Sequence, residues 1–599
     1  MSKQFENLVD VFVNSTEKFR DQPLFGTKVS GSYKWTTYGE FAEEVAHFRG
    51  ALAEMGVEKG DTVAVIANNR VEWAVGAYAT YSLAAKYCPM YEAQLAKDWE
   101  YILSDSGAKV VLVANQKIYD QVKPFVDSID SLERVVYFDG PAESEDAYQT
   151  LLLHGEKNPV DLVHPEPDDL CGFIYTSGTT GKPKGVLLSH SNIISNVNSV
   201  RGLLEIGTDD VSLSFLPWAH SFGQVVELHC LFAMGASLGI VEDVSTIIEN
   251  LSEVRPTLLF SVPRIFNRIY DGVQKKVEAG GAISKIMFRR GLASSEKIRE
   301  IRDAGGEPGG LTLMMNNFYD SVVFSRIRDR FGGRLKYAFS GGAALSPEVA
   351  QFIDNLNITV YEGYGLTETS PIVSCNYPEN RKIGSVGKPL PGVEVKIDPV
   401  EGYPQGVGEI CVKGPNIMQG YHNLPEKTAE VIDEDDYFRT GDLGRLDDEG
   451  FLWILGRVKE QYKLENGKYV VPGPIEEQLK LSPYINQVMI EGTNQPMNVA
   501  LIVVDVETLE AWCKNNGVPR DEMLTHHKVR QLFRDEIQRV SSGIKRYERP
   551  KNFALLEEEW TPENDMLTPT LKLKRRIVMK EYGDKIEALF EEGREAAAE

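Results

Sequence analysis

Short apolar runs recur along the first 450 residues, spaced by longer stretches in which apolar and polar positions alternate with a helical period. "TVAVIA" (62–67), "KVVLVA" (109–114), "RVVYF" (134–138), "TLLFSV" (257–262) and "ITVYEGYG" (358–365) read as strands buried on both faces. Strand and helix signals taking turns predict an α/β fold with largely parallel sheets. The longest apolar stretch, "WAVGAYATYSLAAKYCPMY" (73–91), holds Lys86 and many small residues and reads as a buried core helix. Residues 270–330 are charged and helical, with a breaker at "DAGGEPGG" (303–310), and predict a helical insertion. From about 381 to 456 glycine and proline punctuate short strands, which predicts a β-rich subdomain. A fresh α+β unit follows "GRVKEQYK" (456–463). The expected division is a large N-terminal domain, 1–456, and a small C-terminal domain, 457–599, with the boundary at 457–463.

Length and charge narrow the function. A chain of 599 residues exceeds one compact core. Its 64 basic and 88 acidic residues leave a net charge of −24, which argues against nucleic acid as a partner. A polyanionic ligand must be met by local lysines and a metal. Six scattered cysteines without a Cys-x-x-Cys fit a reducing cytosol. The N-terminus lacks a basic region followed by an apolar run, so a cytoplasmic protein is expected. The His526–His527 pair has no third ligand at metal spacing and reads as surface.

The stretch with the densest chemistry is "YTSGTTGKPKGVLLSH" (175–190). Thr176, Ser177, Thr179 and Thr180 supply hydroxyls, Gly178 and Gly181 allow close backbone approach, and Lys182 and Lys184 supply charge. The apolar "CGFIY" reads as a strand feeding the loop, and Ser189 as a helix N-cap. This is a phosphate-binding pattern, though not a Walker A loop: Thr176 stands where that motif has its first glycine, and Pro183 follows Lys182. The plain alternative is a hydroxyl-rich surface loop. "FSGGAAL" (339–345) places Gly341, Gly342 and Ala343 after a strand, either as a tight turn or as backbone lying against a planar base. "YEGYGLTETS" (361–370) combines Tyr364, Gly365, Thr367 and Glu368, either as a functional turn or as a strand-to-helix turn capped by Thr367. "FRTGDLG" (438–444) offers Asp442, otherwise read as a hairpin turn.

Taken together, "TSGTTGKPKG", "YGLTET", "TGDLG", "GRVKEQYK" and "LTPTLKLKRR" resemble, in order, the motifs of the adenylate-forming (AMP-binding) superfamily. "LPWAHSFG" (216–223), "SGGAAL", "KLENGKYVVPGPIE" (463–476) and the insertion at 270–330 resemble its long-chain fatty acyl-CoA synthetase branch. The chain departs from that branch at "DYFRTGD", where a tryptophan is usual, and at Leu571, where many relatives carry glycine before the lysine.

The resemblance implies ATP-dependent activation of a long-chain fatty acid to acyl-AMP, then transfer to CoA. It implies Mg²⁺ held by Glu368 and Thr176, and phosphates wrapped by the loop from Thr176 to Lys184. It further implies a ribose bound by Asp442 and Arg457, adenine against Tyr364, and an acyl channel lined by His220 and Trp218. Lys572, or Lys574 two residues on, would serve adenylation. Lys459 would be the hinge and Lys463 the residue presented for the thioester step. Two alternatives stay open: a ligase loading another carboxylic acid or a carrier protein, and, at a distance, a serine hydrolase through "GASLG" (235–239), whose nucleophile would be Ser237. A peripheral membrane contact and a homodimer also stay open.

Overall fold

The computed structural model describes residues 4–176, 182–303, 305–568 and 570–598. Two compact units form: residues 1–395 with 412–438, and residues 396–411 with 439–599.

The first unit carries two sheets. One has seven strands in the order Gly420–Tyr421, Lys184–Ser189, Leu170–Thr176, Lys86–Met90, Thr62–Ile66, Ala108–Val113 and Arg134–Tyr137. Its four sequential central and edge strands are parallel, and Val63, Val65, Val111 and Val135 are wholly buried, as continuous apolar runs require. The second sheet has nine strands, with Val360–Gly365, Tyr337–Ser340, Leu258–Ser261, Val211–Ser214 and Ser237–Ile240 side by side and parallel. Helices Leu8–Lys18, Tyr38–Glu54 and Val71–Tyr81 share one core with both sheets, through Phe12, Phe41, Tyr78 and Phe232. A capping box fixes the start of the second helix: the Thr37 hydroxyl accepts from the Glu40 N–H, and the Glu40 carboxylate accepts from the Thr37 N–H.

All five predicted strands form. The helix predicted over 73–91 does not run its length. It ends at Tyr81, Ala84 turns the chain with φ +51°, and Lys86–Met90 becomes a strand in register with Thr62–Ile66. An apolar run reads alike as buried helix or buried strand, and sheet pairing decides. The insertion forms helices Pro263–Ala279, Ala282–Asp303 and Gly310–Tyr319, broken where the glycines fall.

The second unit holds the strands Phe438–Leu446 and Leu452–Arg457, paired antiparallel in a four-stranded sheet, and a three-stranded sheet of Ile485–Glu491, Asn498–Val504 and Pro550–Leu556. Helices Pro472–Leu479, Val506–Asn516, His527–Val540 and Arg575–Ala598 complete its α+β texture. The fold class is thus mixed α/β, as expected. The six cysteines are unpaired, and no described helix is long and apolar enough to cross a membrane. His526 caps the helix that begins at His527.

Candidate active site

The strands Leu170–Thr176 and Lys184–Ser189 are antiparallel, and Thr176 faces Lys184 across the ladder. The hydroxyl-rich loop therefore leaves and re-enters the sheet at one point. Ser177, Gly178, Thr179, Thr180 and Gly181 lie outside the described residues. Ser189 caps the following helix by accepting from the Asn192 N–H, as read from sequence.

Lys184 reaches across to Tyr421, its Nζ 3.9 Å from the ring centroid. The Tyr421 hydroxyl donates to Glu368 Oε1 at 2.9 Å. A cation, an aromatic ring and a carboxylate are thereby joined across three segments remote in sequence. The geometry follows from the backbone: Tyr421 pairs with Val186 beside the loop, and the Met418 N–H donates to the Glu368 carbonyl at 2.9 Å. Lys182 lies with its Nζ 4.7 Å from the Tyr101 ring. Tyr175 donates to Asp105 at 2.7 Å, tying the end of the strand to the helix Ala96–Ser106.

Glu368 sits on the 3₁₀ turn Thr367–Thr369 directly after the strand Val360–Gly365. Thr367 is inside the turn, not its cap; Thr369 closes it, accepting from the Leu366 N–H at 2.9 Å. The Thr367 hydroxyl lies 3.4 Å from that of Ser221, in the "PWAHSFG" segment. Gly365 has no room for a side chain, since a Cβ there would lie 1.8 Å from the Pro371 carbonyl oxygen.

Two adjacent parallel strands end together, Ser261 in register with Ser340, and the third, level with them at Glu362, runs on to Gly365. Ligands of open α/β sheets bind outside such carboxyl ends. Here those ends carry Gly341, Gly342, Ala343 and Tyr364. Gly342 has φ +82°, and the backbone at Gly342 and Ala343 is exposed. A planar ligand can approach that backbone without meeting a side chain.

In "PWAHSFG", Trp218 is wholly buried against Trp73 and Phe25 and donates from Nε1 to Ser214 Oγ at 3.1 Å. His220 is half-buried, and its Nδ1 accepts from the Phe222 N–H at 3.2 Å, which leaves the ring proton on Nε2. A buried carboxylate that sequence reading missed lies behind this segment. Glu227, on the π-helix Phe222–His229, accepts from Ser212 at 2.7 Å and Ser214 at 2.6 Å. Burial pushes its pKa up to about 7, against the pull of those hydrogen bonds. Glu362, in "YEGYG", is a second buried carboxyl, and burial raises it to about 7 as well.

In the second unit Asp442 and Arg457 are direct cross-strand partners, with Arg457 Nε 3.2 Å from Asp442 Oδ1. Asp442 lies within a strand rather than at a hairpin turn, and is 5% exposed. Lys459 is exposed within the turn 458–460, and Lys463 is exposed on the strand Tyr462–Lys463 that follows, its Nζ 5.4 Å from the Tyr469 ring. Lys572 is exposed on a tight turn closed by the Thr568 N–H donating to the Lys572 carbonyl at 2.8 Å. Leu571 before it has φ +59°, the left-handed region that glycine adopts most readily. Lys574 is committed elsewhere, paired with Asp565 at 2.5 Å.

A hard divalent cation takes oxygen ligands, and Mg²⁺ in phosphate chemistry is held by one or two carboxylates plus substrate phosphates. Glu368 and Thr176 offer oxygen donors of that kind, and a carboxylate accepts on both oxygens. Among the described residues no group of three or more His, Cys, Asp or Glu could hold a metal. The donor set thus fits a cation shared with a substrate phosphate. Ser237 opens a strand, is 1% exposed and donates to the Pro23 carbonyl; the helix precedes it and the strand follows, the reverse of a nucleophile elbow.

Residues 12–422 match the AMP-binding enzyme family, and residues 459–594 match the AMP-binding enzyme C-terminal domain. The chain is 31% identical over 616 residues to long chain acyl-CoA synthetase 7, peroxisomal, of Arabidopsis thaliana, covering 98% of this chain and 86% of that one. It is 30% identical over 590 residues to long-chain-fatty-acid–CoA ligase FadD15 of Mycobacterium tuberculosis, covering 96% of each. Among solved structures, the adenylation domain of a carboxylate reductase from Mycobacterium chelonae aligns with a TM-score of 0.77 at 24% identity, over 98% of this chain and 91% of that one. The AMP complex of a carboxylic acid reductase didomain from Segniliparus rugosus gives 0.78 at 22%, over 100% and 84%. At those identities the structures speak for the fold. On the family matches and the full-length relatives, the chain belongs to the adenylate-forming, AMP-binding enzyme family, in its long-chain acyl-CoA synthetase branch.

Proposed function

We propose that the protein activates a long-chain fatty acid with ATP and passes it to CoA, giving acyl-CoA, AMP and pyrophosphate. The observation that carries this reading is the Lys184–Tyr421–Glu368 chain at the mouth of the 176–184 loop. It gathers a cation and a carboxylate where a nucleotide triphosphate would lie.

The first half-reaction joins two anions. A carboxylate oxygen attacks the α-phosphorus and pyrophosphate leaves. Thr176, Lys182 and Lys184, with the loop between, bind the β- and γ-phosphates and offset their charge. Glu368 and Thr176 would hold Mg²⁺, which would offset phosphate charge when bound. Gly341, Gly342, Ala343, Tyr364, Gly365 and Thr367 form the base platform. His220 and Trp218 belong to the acyl side. Asp442 accepts from the ribose hydroxyls, and Arg457, its cross-strand partner, orients that carboxylate. Lys572 binds the α-phosphate and the carboxylate in the transition state, where preorganised charge has its largest effect. The exposure of Lys572 and the left-handed backbone at Leu571 before it support Lys572 for that role.

In the second half-reaction the CoA thiol displaces AMP. We assign Lys459 as the hinge on which the C-terminal domain, 457–599, turns and Lys463 as the group it brings. The exposure of both lysines supports this. The test is product analysis with a panel of carboxylic acids of graded length, with and without CoA. AMP and pyrophosphate from long acids support the reading. ADP and phosphate overturn it, because attack at the α-phosphorus cannot yield them.

A further inference from the structure

The helical insertion exposes an apolar face that nothing in the reaction uses. Helices Ala282–Asp303 and Gly310–Tyr319 run antiparallel: Ser295 donates to Asn316 Oδ1 at 3.0 Å, and Phe288 meets Phe324 with ring centroids 6.2 Å apart. The second helix is turned inside out. It buries Asn316 and Tyr319, while Leu311 (69% exposed), Met314 (63%), Met315 and Phe318 (54%) face solvent, with Val322 one turn on. Their spacing of i, i+3, i+4, i+7 puts them on one stripe. On the first helix, Phe288, Gly291, Ser295 and Ile298 are buried, and Ile283 (79%) and Ile286 share the opposite stripe with the exposed Arg290.

These seven side chains are half of the exposed large apolar side chains among the described residues, and they fall between residues 283 and 322. The five from Leu311 to Val322 form one stripe rather than ordinary scatter, and such apolar surfaces mark interaction sites. The charge around them is as unusual. Residues 263–330 carry 13 Lys and Arg against 8 Asp and Glu, in a chain of net charge −24. Arg289, Arg290, Lys297, Arg326 and Arg330 are exposed.

We propose that this hairpin docks the enzyme on the surface of an anionic lipid bilayer. An amphipathic helix with apolar side chains outward and a basic surround lies in a membrane interface, held by apolar burial and attraction to anionic headgroups. Residues 528–551 and 572–580 are basic as well, but among the described residues only the insertion joins a positive surplus to a stripe of exposed large apolar side chains, and that combination is what an anionic lipid surface holds. A second copy fits less well. A twofold contact sets the same basic side chains against themselves.

The test is cosedimentation of the full chain with vesicles of phosphatidylcholine containing phosphatidylglycerol, and with vesicles of phosphatidylcholine alone. Binding to the mixed vesicles, weaker as salt rises, is expected. The Met314→Asp/Phe318→Asp variant should lose at least about tenfold in partitioning. Arg289→Glu/Arg290→Glu should lose binding to the anionic vesicles. Both should keep wild-type pyrophosphate release with an acid dispersed in water. Leu311→Ser/Ile283→Ser is a milder apolar pair should the aspartates unfold the hairpin, and it should lose binding in the same sense. No binding of the wild type, equal binding of all variants, or a dimer that the aspartates dissolve without any vesicle binding overturns the proposal.

Discussion

Removing one oxygen from Tyr421 tests how the site is wired. Tyr421→Phe keeps the ring under Lys184 and deletes the hydroxyl that donates to Glu368 Oε1 at 2.9 Å. A hydrogen bond to a charged group is worth about 1.5–3 kcal/mol. Glu368 is half-buried, so the lower end applies, and about 1.5 kcal/mol is about tenfold in rate. Tyr421→Ala also removes the aromatic face. A cation–π contact at this degree of exposure adds about 1 kcal/mol. The alanine variant should therefore lose about 50–100-fold, provided the two contributions add. The assay is pyrophosphate release across a Mg²⁺ titration, with thermal unfolding of each variant as the folding control. Tyr421 acts through Glu368, so Tyr421→Phe should raise the Mg²⁺ concentration for half-maximal rate more than it lowers the saturated rate. Wild-type behaviour of Tyr421→Phe at every Mg²⁺ concentration would refute the reasoning. So would equal losses in both variants, since the hydroxyl and the ring would then have no separate roles.

Three further outcomes follow from the same geometry. Lys572→Ala should cost adenylation about 10²–10³-fold and spare thioester formation from supplied acyl-AMP, whereas Lys574→Ala should cost only its ion pair, at most about 1 kcal/mol of stability; separate assays of the two half-reactions decide, and a larger adenylation loss in Lys574→Ala would reverse the assignment. Asp442→Asn keeps the shape and removes the charge facing Arg457, so ATP affinity should fall about tenfold or more by equilibrium binding with little change in the melting temperature; unchanged affinity would remove Asp442 from the ribose site. Burial lifts Glu227 from 4.5 to about 7, so the folded chain keeps a proton there that the unfolded chain loses. The stability this gives is full below about pH 4.5 and is lost as pH rises through 7, about 3 kcal/mol in all. Glu227→Gln should therefore melt higher than wild type by about 2–4 °C at pH 8 and by little at pH 5, and an equal difference at both would exclude the titration.

Much of this architecture was legible because strands of parallel sheets are continuous apolar runs, and because the loop at 176–184, the turn at Thr367–Thr369 and the Lys572 turn are local in sequence. Lys86–Met90 was not legible, since "KYCPM" continues an apolar helix and only its register with Thr62–Ile66 makes it a strand. Tyr421 escaped for a different reason. Its partners Lys184 and Glu368 are remote in sequence, and a tyrosine in "QGYHN" carries no local mark of either. Glu227 sits in an apolar helical stretch whose period gives no hint that Ser212 and Ser214 solvate it. The inside-out helix Gly310–Tyr319 shows the limit of patterning: the period finds the apolar stripe but does not say which stripe faces in.

The most direct measurement follows one oxygen atom. If the acid attacks the α-phosphorus and the thiol then displaces AMP, a carboxylate oxygen of the acid leaves on the nucleotide. The enzyme would be given a long-chain acid labelled with heavy oxygen in its carboxylate, with ATP, Mg²⁺ and CoA, and the products read by mass spectrometry. The account predicts one labelled oxygen in AMP and none in pyrophosphate. Label in pyrophosphate or inorganic phosphate, or AMP without label while acyl-CoA forms, would contradict it.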